Sequence, residues 1–258
     1  MRVGFVEWPE GLEPFGAEWS TIAGEVARAR LDVLVTNELP FGRWIAGDAT
    51  FDRNVAQASV DAHSSALECI ANLEVRAVVS SRPVWANDRL ANEAFVWERG
   101  SGRPLHRKQY LPAEPGWFET TWYSTEFAGF EVADVLGLRI GVLLCTEAMF
   151  NEHARHYGRE GADLIAIPRA TGVTTDMWLA AGKMAAIVSG GYVVSSNRAG
   201  RARQGVMFGG AGFAFDPNGT CLAVTSREEP LSVCDVDPVE TARRRTTYPC
   251  YVSERHST

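Results

Sequence analysis

The chain has 258 residues, of which 46% are hydrophobic and 22% charged, a composition typical of folded globular proteins rather than disordered ones. A single α/β domain commonly reaches this length, so we expect one domain over residues 1–258. The formal net charge of -7 comes from acidic residues along the whole chain, which argues against a nucleic acid or an anionic membrane as partner. We therefore expect the partner to be a small-molecule substrate.

The cysteines and the N-terminus bear on the compartment. Five cysteines form an odd set with no CxxC pair, so neither a disulfide framework nor a zinc site is predicted. Glu7 and Glu10 lie where a signal peptide would need apolar residues, and no stretch approaches the roughly 18 apolar residues of a membrane span. We expect a cytoplasmic protein without a metal or an organic cofactor.

Short apolar runs alternate with segments of helical periodicity, which indicates a layered α/β fold. The pattern predicts strands at 2–6, 32–38, 76–81, 93–98, 139–145, 163–170 and 192–197, and helices at 21–30, 52–73, 148–161 and 176–189.

Further predictions concern the middle and the end of the chain. Residues 103–127 contain three prolines and little periodicity, so we expect a long loop, and long loops in compact domains are often functional. Residues 210–219 and 231–237 are predicted to pair as antiparallel strands across the turn at 216–219. From about residue 241 we expect a short tail that packs on a partner subunit.

Cys145 ends an apolar strand and precedes a helix-forming run. A strand-to-helix turn exposes a side chain at the edge of a sheet and favours a reactive thiolate. The alternative is that Cys145 is a small hydrophobic residue in the core.

Glu38 and Lys108 also follow predicted strands, although each could instead be a solvated surface charge. Together with Cys145 they supply three functions needed to hydrolyse an amide or a nitrile. Glu38 could accept and return the thiol proton, Lys108 could stabilise a tetrahedral oxyanion, and Cys145 could form a thioester.

With these three residues in their surrounding segments, the sequence resembles the nitrilase superfamily of carbon–nitrogen hydrolases. The segments that carry the resemblance occur in the family's order and are LVTNELPFGRW, HRKQYLP, RIGVLLCTEAMFNEHARHYGREGADLIAIPRA, MAAIVSGGYVVSSNRAG and GGAGFAFDPNG. The resemblance implies an αββα sandwich, paired into a four-layer αββα-αββα homodimer or a higher homo-oligomer. It also implies the Glu-Lys-Cys roles of Glu38, Lys108 and Cys145.

The resemblance implies further site residues. Many members carry a second glutamate between the lysine and the cysteine, and Glu119 is the better match here, with Glu114 as the competitor. The backbone N–H of Thr146 is expected to join Lys108 in holding the oxyanion.

Two positions depart from the commoner family patterns. Cys145 is followed by Thr146 and Glu147, whereas many members have Trp-Glu there, or an aromatic residue or Asn before Asp, and Arg169 replaces a small residue. Glu147 either faces the substrate pocket or caps the following helix. Arg169 either meets a substrate carboxylate or has a structural ion pair.

Several rings are candidates for the pocket. Trp117, Trp122 and Tyr123, with Trp178, could line an aromatic pocket or fill the core or a subunit interface. His153 and His156 lack a third ligand nearby, so a solvated helix face is expected rather than a metal site.

The leading functional hypothesis is a cofactor-independent amidase that acts on a small amide or carbamoyl compound. The alternative is a nitrilase that forms a thioimidate. A non-catalytic binding protein and an acyl transferase are further alternatives.

Overall fold

Sixteen strands and six α-helices are present in the computed structural model, which describes residues 1–125 and 129–253. The strands are β1 (Arg2–Val6), β2 (Val33–Val35), β3 (Ala77–Ala86), β4 (Arg89–Glu98), β5 (Ser101–Arg107), β6 (Ala113–Glu114), β7 (Trp117–Phe118), β8 (Ala133–Val135), β9 (Leu138–Val142), β10 (Leu164–Arg169), β11 (Tyr192–Asn197), β12 (Ala199–Arg201), β13 (Met207–Gly209), β14 (Phe213–Phe215), β15 (Cys221–Val224) and β16 (Leu231–Asp235). The α-helices are α1 (Ala17–Ala29), α2 (Arg53–Ala71), α3 (Glu119–Trp122), α4 (Asn151–Arg159), α5 (Asp176–Ser189) and α6 (Pro238–Arg245).

Two six-stranded sheets form the centre of the fold. The first has the strand order β16-β1-β2-β3-β4-β5, and the second has the order β15-β14-β11-β10-β9-β8. In each sheet three neighbouring strands are parallel, β1-β2-β3 in the first and β9-β10-β11 in the second. The carboxyl ends of parallel strands lie at one edge of a sheet, so residues that follow β2 and β9 are placed at such edges.

Alternating side chains along the strands separate the layers. In β2, Val33 and Val35 point into an apolar cluster shared with Val142 and Leu164 of the second sheet, whereas Leu34 packs in the cluster formed with α1 and α2. A third cluster joins the outer face of the second sheet to α4 and α5. The layer order is therefore helix, sheet, sheet, helix, and the predicted αββα sandwich is confirmed, while the dimer stays a prediction.

The predicted pairing near the C-terminus is wrong. Strand β14 pairs antiparallel with β15 across the turn at 216–219, whereas β16 pairs antiparallel with β1 in the other sheet. A tight turn joins β14 to the next extended segment, β15, which was missed because the apolar run Cys221–Val224 has only four residues and no polar alternation to mark a strand. Residues 231–235 instead close the edge of the first sheet.

The predicted long loop at 103–127 contains short strands and a helix in its described part. Residues 103–107 belong to β5, which pairs with β4, and the next segment contains the hairpin β6-β7 and helix α3. Residues 126 and 127 lie outside the described part of the chain. Pro112 precedes β6 and Pro115 lies in the turn between β6 and β7, and elements of two to four residues are too short to show a periodicity.

The segment from residue 241 begins inside helix α6 rather than as a tail. Thr241 donates a hydrogen bond of 2.6 Å to Asp163, and Arg245 donates one of 2.9 Å to the carbonyl oxygen of Ala162. The helix is therefore attached to the loop before β10. Residues 254–258 lie outside the described part of the chain.

Helix α4 approaches the C-terminal end of α5 so closely that Gly158 has no room for a side chain. A Cβ at Gly158 would touch the carbonyl oxygen of Ser189 and lie 2.6 Å from its Cα. We expect Gly158→Ala to lower the free energy of unfolding by about 1–3 kcal/mol, because backbone must move to relieve the clash. The matched control is Gly24→Ala in α1, where a Cβ would meet only the end of the Arg28 side chain at 3.4 Å. Better helix propensity should make that variant as stable or up to about 1 kcal/mol more stable. Chemical denaturation measures both, and equal effects would contradict this packing.

Candidate active site

Glu38, Lys108 and Cys145 follow three different strands, β2, β5 and β9, at the end of the sandwich. Their exposed fractions are 0%, 1% and 3%, so all three side chains are removed from bulk water. The backbone N–H of Glu38 donates a hydrogen bond of 3.1 Å to the carbonyl oxygen of Arg169. This bond joins the end of the first sheet to the end of β10 in the second.

The ammonium of Lys108 lies between two carboxylates. Its Nζ donates to Oε1 of Glu38 at 2.8 Å and to Oε1 and Oε2 of Glu119 at 2.9 and 2.7 Å. Burial alone lowers the pKa of Lys108, but Glu119 and Glu38 outweigh it and hold that pKa well above its ordinary value. Lys108 is therefore positively charged at neutral pH.

Glu119 is the glutamate that contacts the lysine, whereas Glu114, its competitor in the sequence, is exposed on β6. Burial raises the pKa of Glu119 to about 7, with Lys108 opposing the shift and the negative charge of Glu38 adding to it. Two carboxylates that share one ammonium cannot both ionise without cost.

Asn92 of β4 orients Glu38 and was not identified from the sequence. Its side-chain amide donates a bond of 2.8 Å to Oε1 of Glu38, and its backbone carbonyl accepts one of 2.9 Å from the N–H of Lys108. Among the described residues, Oε2 of Glu38 has no hydrogen-bond partner. The sequence offered only a weak signal, a polar residue inside the mainly apolar run LANEAFV, and the structure shows that this residue is buried.

Cys145 begins a short 3-10 helix, Cys145–Met149, directly after the second sheet. Its φ of 51° lies in the left-handed region, which costs a residue other than glycine about 1–3 kcal/mol and is found at strained functional turns. Burial raises the pKa of the Cys145 thiol far above its ordinary value, Glu38 raises it further, and Lys108 opposes the shift. The group is a neutral thiol at neutral pH and needs a base in order to react.

A cavity of about 220 Å³ opens beside Cys145. Thr146 and Trp117 line it, as does Trp178. The other lining residues are Pro112, Glu114, Ala170, Thr171, Gly172, Thr174 and Met177. The wall is therefore mainly apolar, with one carboxylate from Glu114.

Two predicted pocket residues do not line this cavity. Trp122 packs on Phe51 and donates a bond of 2.7 Å to the carbonyl oxygen of Asp48, because helix α3 turns the ring towards that loop. Tyr123 is buried, and burial together with the charge of Glu119 raises the pKa of its hydroxyl.

Glu147 does not face the cavity either. Its carboxylate accepts hydrogen bonds from the backbone N–H groups of Leu144 and Gln109, both at 2.7 Å, and lies 2.8 Å from Nε2 of His106. The first of these bonds caps the 3-10 helix, because a carboxylate in the first turn reaches the free N–H groups there.

Arg169 has neither predicted role, since its partners are neutral and internal to the protein. Its guanidinium donates to Ser195, Thr171 and the carbonyl oxygen of Ala211 at 2.6, 3.2 and 2.8 Å. Burial lowers its pKa to about 10. The side chain points into the protein at the end of β10 and does not line the cavity.

The two histidines of α4 contact neighbouring protein groups. His153 lies 2.8 Å from the hydroxyl of Tyr110 and stacks on Phe130, while His156 lies 3.0 Å from the carbonyl oxygen of Phe130. Within residues 1–125 and 129–253, no group of three or more His, Cys, Asp or Glu side chains is arranged to hold a metal ion. The helices of these same residues include none long and apolar enough to cross a membrane.

The pKa of Glu119 gives a prediction about stability. Because its pKa of about 7 exceeds the ordinary 4.5, the folded protein retains a proton that the unfolded chain has lost between these pH values. The stabilisation present below pH 4.5 is thus lost as the pH rises to about 7. The free energy of unfolding of the wild type relative to Glu119→Gln should fall by about 3 kcal/mol over this window.

Chemical denaturation at several pH values measures this difference. The control is Glu114→Gln, which alters an exposed carboxylate of the neighbouring hairpin. Parallel pH profiles for the wild type and Glu119→Gln would contradict the prediction.

Solved structures with the same fold extend over almost the whole chain. A carbon-nitrogen hydrolase from Helicobacter pylori G27 superposes with a TM-score of 0.84 at 19% identity, covering 99% of this chain and 95% of the other. An amidase from Nesterenkonia sp. gives a TM-score of 0.75 at 21% identity, covering 95% and 94%. At such identities these likenesses establish the fold alone.

Curated relatives are more similar in sequence but match over less of their length. The N-carbamoylputrescine amidase of Solanum tuberosum is 27% identical over 58% of this chain and 56% of its own. The chloroplastic omega-amidase of Arabidopsis thaliana is 28% identical over 69% and 50%. The chain thus spans about half the length of these relatives. The model of the family described as "Carbon-nitrogen hydrolase" matches residues 8–246, and the chain therefore belongs to the carbon-nitrogen hydrolase family.

Proposed function

We propose that the protein is an amidase-like hydrolase that cleaves a non-peptide C–N bond of a small amide or carbamoyl compound. The observation that carries this proposal is the cluster beside the cavity. It contains a buried thiol at Cys145, the paired ammonium of Lys108, and a Glu38 carboxylate oxygen without a partner among the described residues. A thiol, a base and a fixed cation are the three groups that thioester chemistry needs.

In the proposed first step, Oε2 of Glu38 accepts the thiol proton as the sulfur of Cys145 attacks the carbonyl carbon. The C–S bond forms, and the carbonyl π electrons move to oxygen. Lys108 and the backbone N–H of Thr146 stabilise this oxyanion, because fixed donors in a dry site are worth more than in water. A base is required since burial holds the pKa of the thiol high.

The tetrahedral intermediate then collapses. Glu38 returns its proton to the nitrogen, the C–N bond breaks, and ammonia or an amine leaves behind a thioester on Cys145. Water attacks this thioester while Glu38 accepts a water proton, and collapse breaks the C–S bond. The acid is released and the proton returns to the sulfur, so Glu38, Lys108 and Cys145 end as they began.

Glu119 has a supporting part in this proposal. Its two oxygens accept hydrogen bonds from Nζ of Lys108 in addition to the bond that Glu38 accepts, so the ammonium keeps one position through both steps. A fixed cation costs no reorganisation as charge develops on the substrate oxygen.

The cavity and the relatives support a small amide or carbamoyl substrate. A volume of about 220 Å³ is below the roughly 300–1,000 Å³ of pockets for drug-sized ligands. The curated relatives include proteins named N-carbamoylputrescine amidase and omega-amidase, whose names describe carbamoyl and amide chemistry.

Product assays on the purified chain test the proposal. We expect ammonia or amine release from at least one member of a panel of short amides and carbamoyl compounds. Cys145→Ala should reduce turnover by on the order of 10⁴-fold or more, because no other group replaces the nucleophile. Glu38→Gln should reduce it by about 10²- to 10⁴-fold, because proton transfer is lost. The matched control is Cys221→Ala, which removes an exposed cysteine and should keep full activity.

Intact-mass spectrometry during turnover should detect an acyl adduct on the wild type and none on Cys145→Ala. Turnover in Cys145→Ala equal to the wild type would refute the mechanism. A panel in which only nitriles are converted to acids would replace the amidase by a nitrilase, whose adduct is a thioimidate.

A further inference from the structure

We propose that Glu147 and His106 are positioning residues that hold the turn of Cys145 against the segment of Lys108. The inference rests on the proposed function, because it assigns residues that act through the nucleophile and the lysine. Neither side chain lines the cavity beside Cys145.

The carboxylate of Glu147 joins two segments that are distant in sequence. One oxygen accepts from the backbone N–H of Gln109 at 2.7 Å, and the other accepts from the backbone N–H of Leu144 at 2.7 Å. Nε2 of His106 lies 3.0 and 2.8 Å from the two oxygens. Because both oxygens of this carboxylate already act as acceptors for backbone N–H groups, we assign the ring proton of His106 to Nε2.

The positions of these donors explain the proposed effect. His106 and Gln109 flank Lys108 in the chain, and Leu144 directly precedes Cys145. A shift of the Glu147 carboxylate would therefore move the lysine relative to the nucleophile. A displacement of about 1 Å in a catalytic site can cost on the order of 10²-fold in rate.

Burial makes this link rigid. The side chains of His106 and Glu147 are 1% and 0% exposed, so water does not compete for their hydrogen bonds. The His106 ring also packs on Phe130, with the ring centroids 4.7 Å apart. Charge-assisted bonds from three donors offset the desolvation of the carboxylate.

The backbone of Cys145 gives a reason for such a link. A left-handed φ of 51° at a residue other than glycine persists only where the surroundings enforce it. The hydrogen bond from the Leu144 N–H to the Glu147 carboxylate joins a residue before Cys145 to a residue after it. This bond therefore constrains the backbone turn at Cys145. The same carboxylate then fixes that turn relative to Lys108.

Glu147→Gln is the first test, since an amide cannot accept from all three donors. We expect kcat to fall by about 10- to 100-fold with KM within about threefold, because the cavity is unchanged while the reacting groups are misaligned. Thermal unfolding establishes a temperature at which each variant is fully folded. The control is Glu152→Gln, which removes an exposed carboxylate of α4 and should leave both constants unchanged.

His106 provides a second pair of variants if Glu147→Gln fails to fold. His106→Gln keeps a donor near the place of Nε2, whereas His106→Phe keeps a ring on Phe130 but has no donor. We expect the Gln variant to retain most of the wild-type kcat and the Phe variant to lose about tenfold or more. The double variant of Glu147→Gln with His106→Phe should lose less than the product of the single losses, because both break one link.

Alkylation of Cys145 by iodoacetamide, followed by peptide mass spectrometry, separates this inference from the proposed function. If the wild type converts no substrate in the panel, the proposed function fails, yet Glu147→Gln should still slow alkylation of Cys145 by about tenfold. Equal loss in His106→Gln and His106→Phe would overturn the positioning role. So would a Glu147→Gln variant with lowered thermal stability but wild-type kcat and alkylation rate, since that pattern belongs to a purely structural residue.

Discussion

The ammonium of Lys108, buried between Glu38 and Glu119, is the interaction on which the rest of the site depends. An unpaired charge in an apolar interior is strongly unfavourable, and removing one partner of a buried ion pair is strongly destabilising. The ammonium and the two carboxylates come from three separate segments, so the charge of Lys108 is compensated only when those segments lie together. The end of the sandwich that carries the cavity is therefore closed by charge pairing as well as by apolar packing.

A second buried carboxylate extends this arrangement. Glu147 contacts His106 and Gln109, which lie before and after Lys108 in the chain. It also contacts Leu144, in the turn that carries Cys145. The hydrogen bonds of the Lys108 ammonium and those of the Glu147 carboxylate therefore both involve residues 106–109. In the proposed mechanism the first network supplies the charges, and the second keeps the thiol at a fixed distance from them.

Much of the architecture was predictable because short continuous apolar runs mark strands that are buried on both faces, and helical periodicity marks the segments between them. The strand ends that carry Glu38 and Cys145 were found in this way. Strand β15 was missed because its apolar run of four residues is too short to be recognised as a strand, and its absence led to the wrong pairing for β16. Asn92 was missed because a polar residue within a strand gives no indication in the sequence of which side chain it contacts.

The sequence by itself determined the layered α/β class and the ordered set of Glu38, Lys108 and Cys145, since local periodicity and residue type are properties of the chain alone. Only the tertiary structure decided which side chains meet. Glu119 rather than Glu114 reaches Lys108, Glu147 turns away from the cavity, and neutral acceptors surround Arg169. These hydrogen bonds join residues 11 to 38 positions apart, so they depend on how separate segments come together, and no local pattern records that distance.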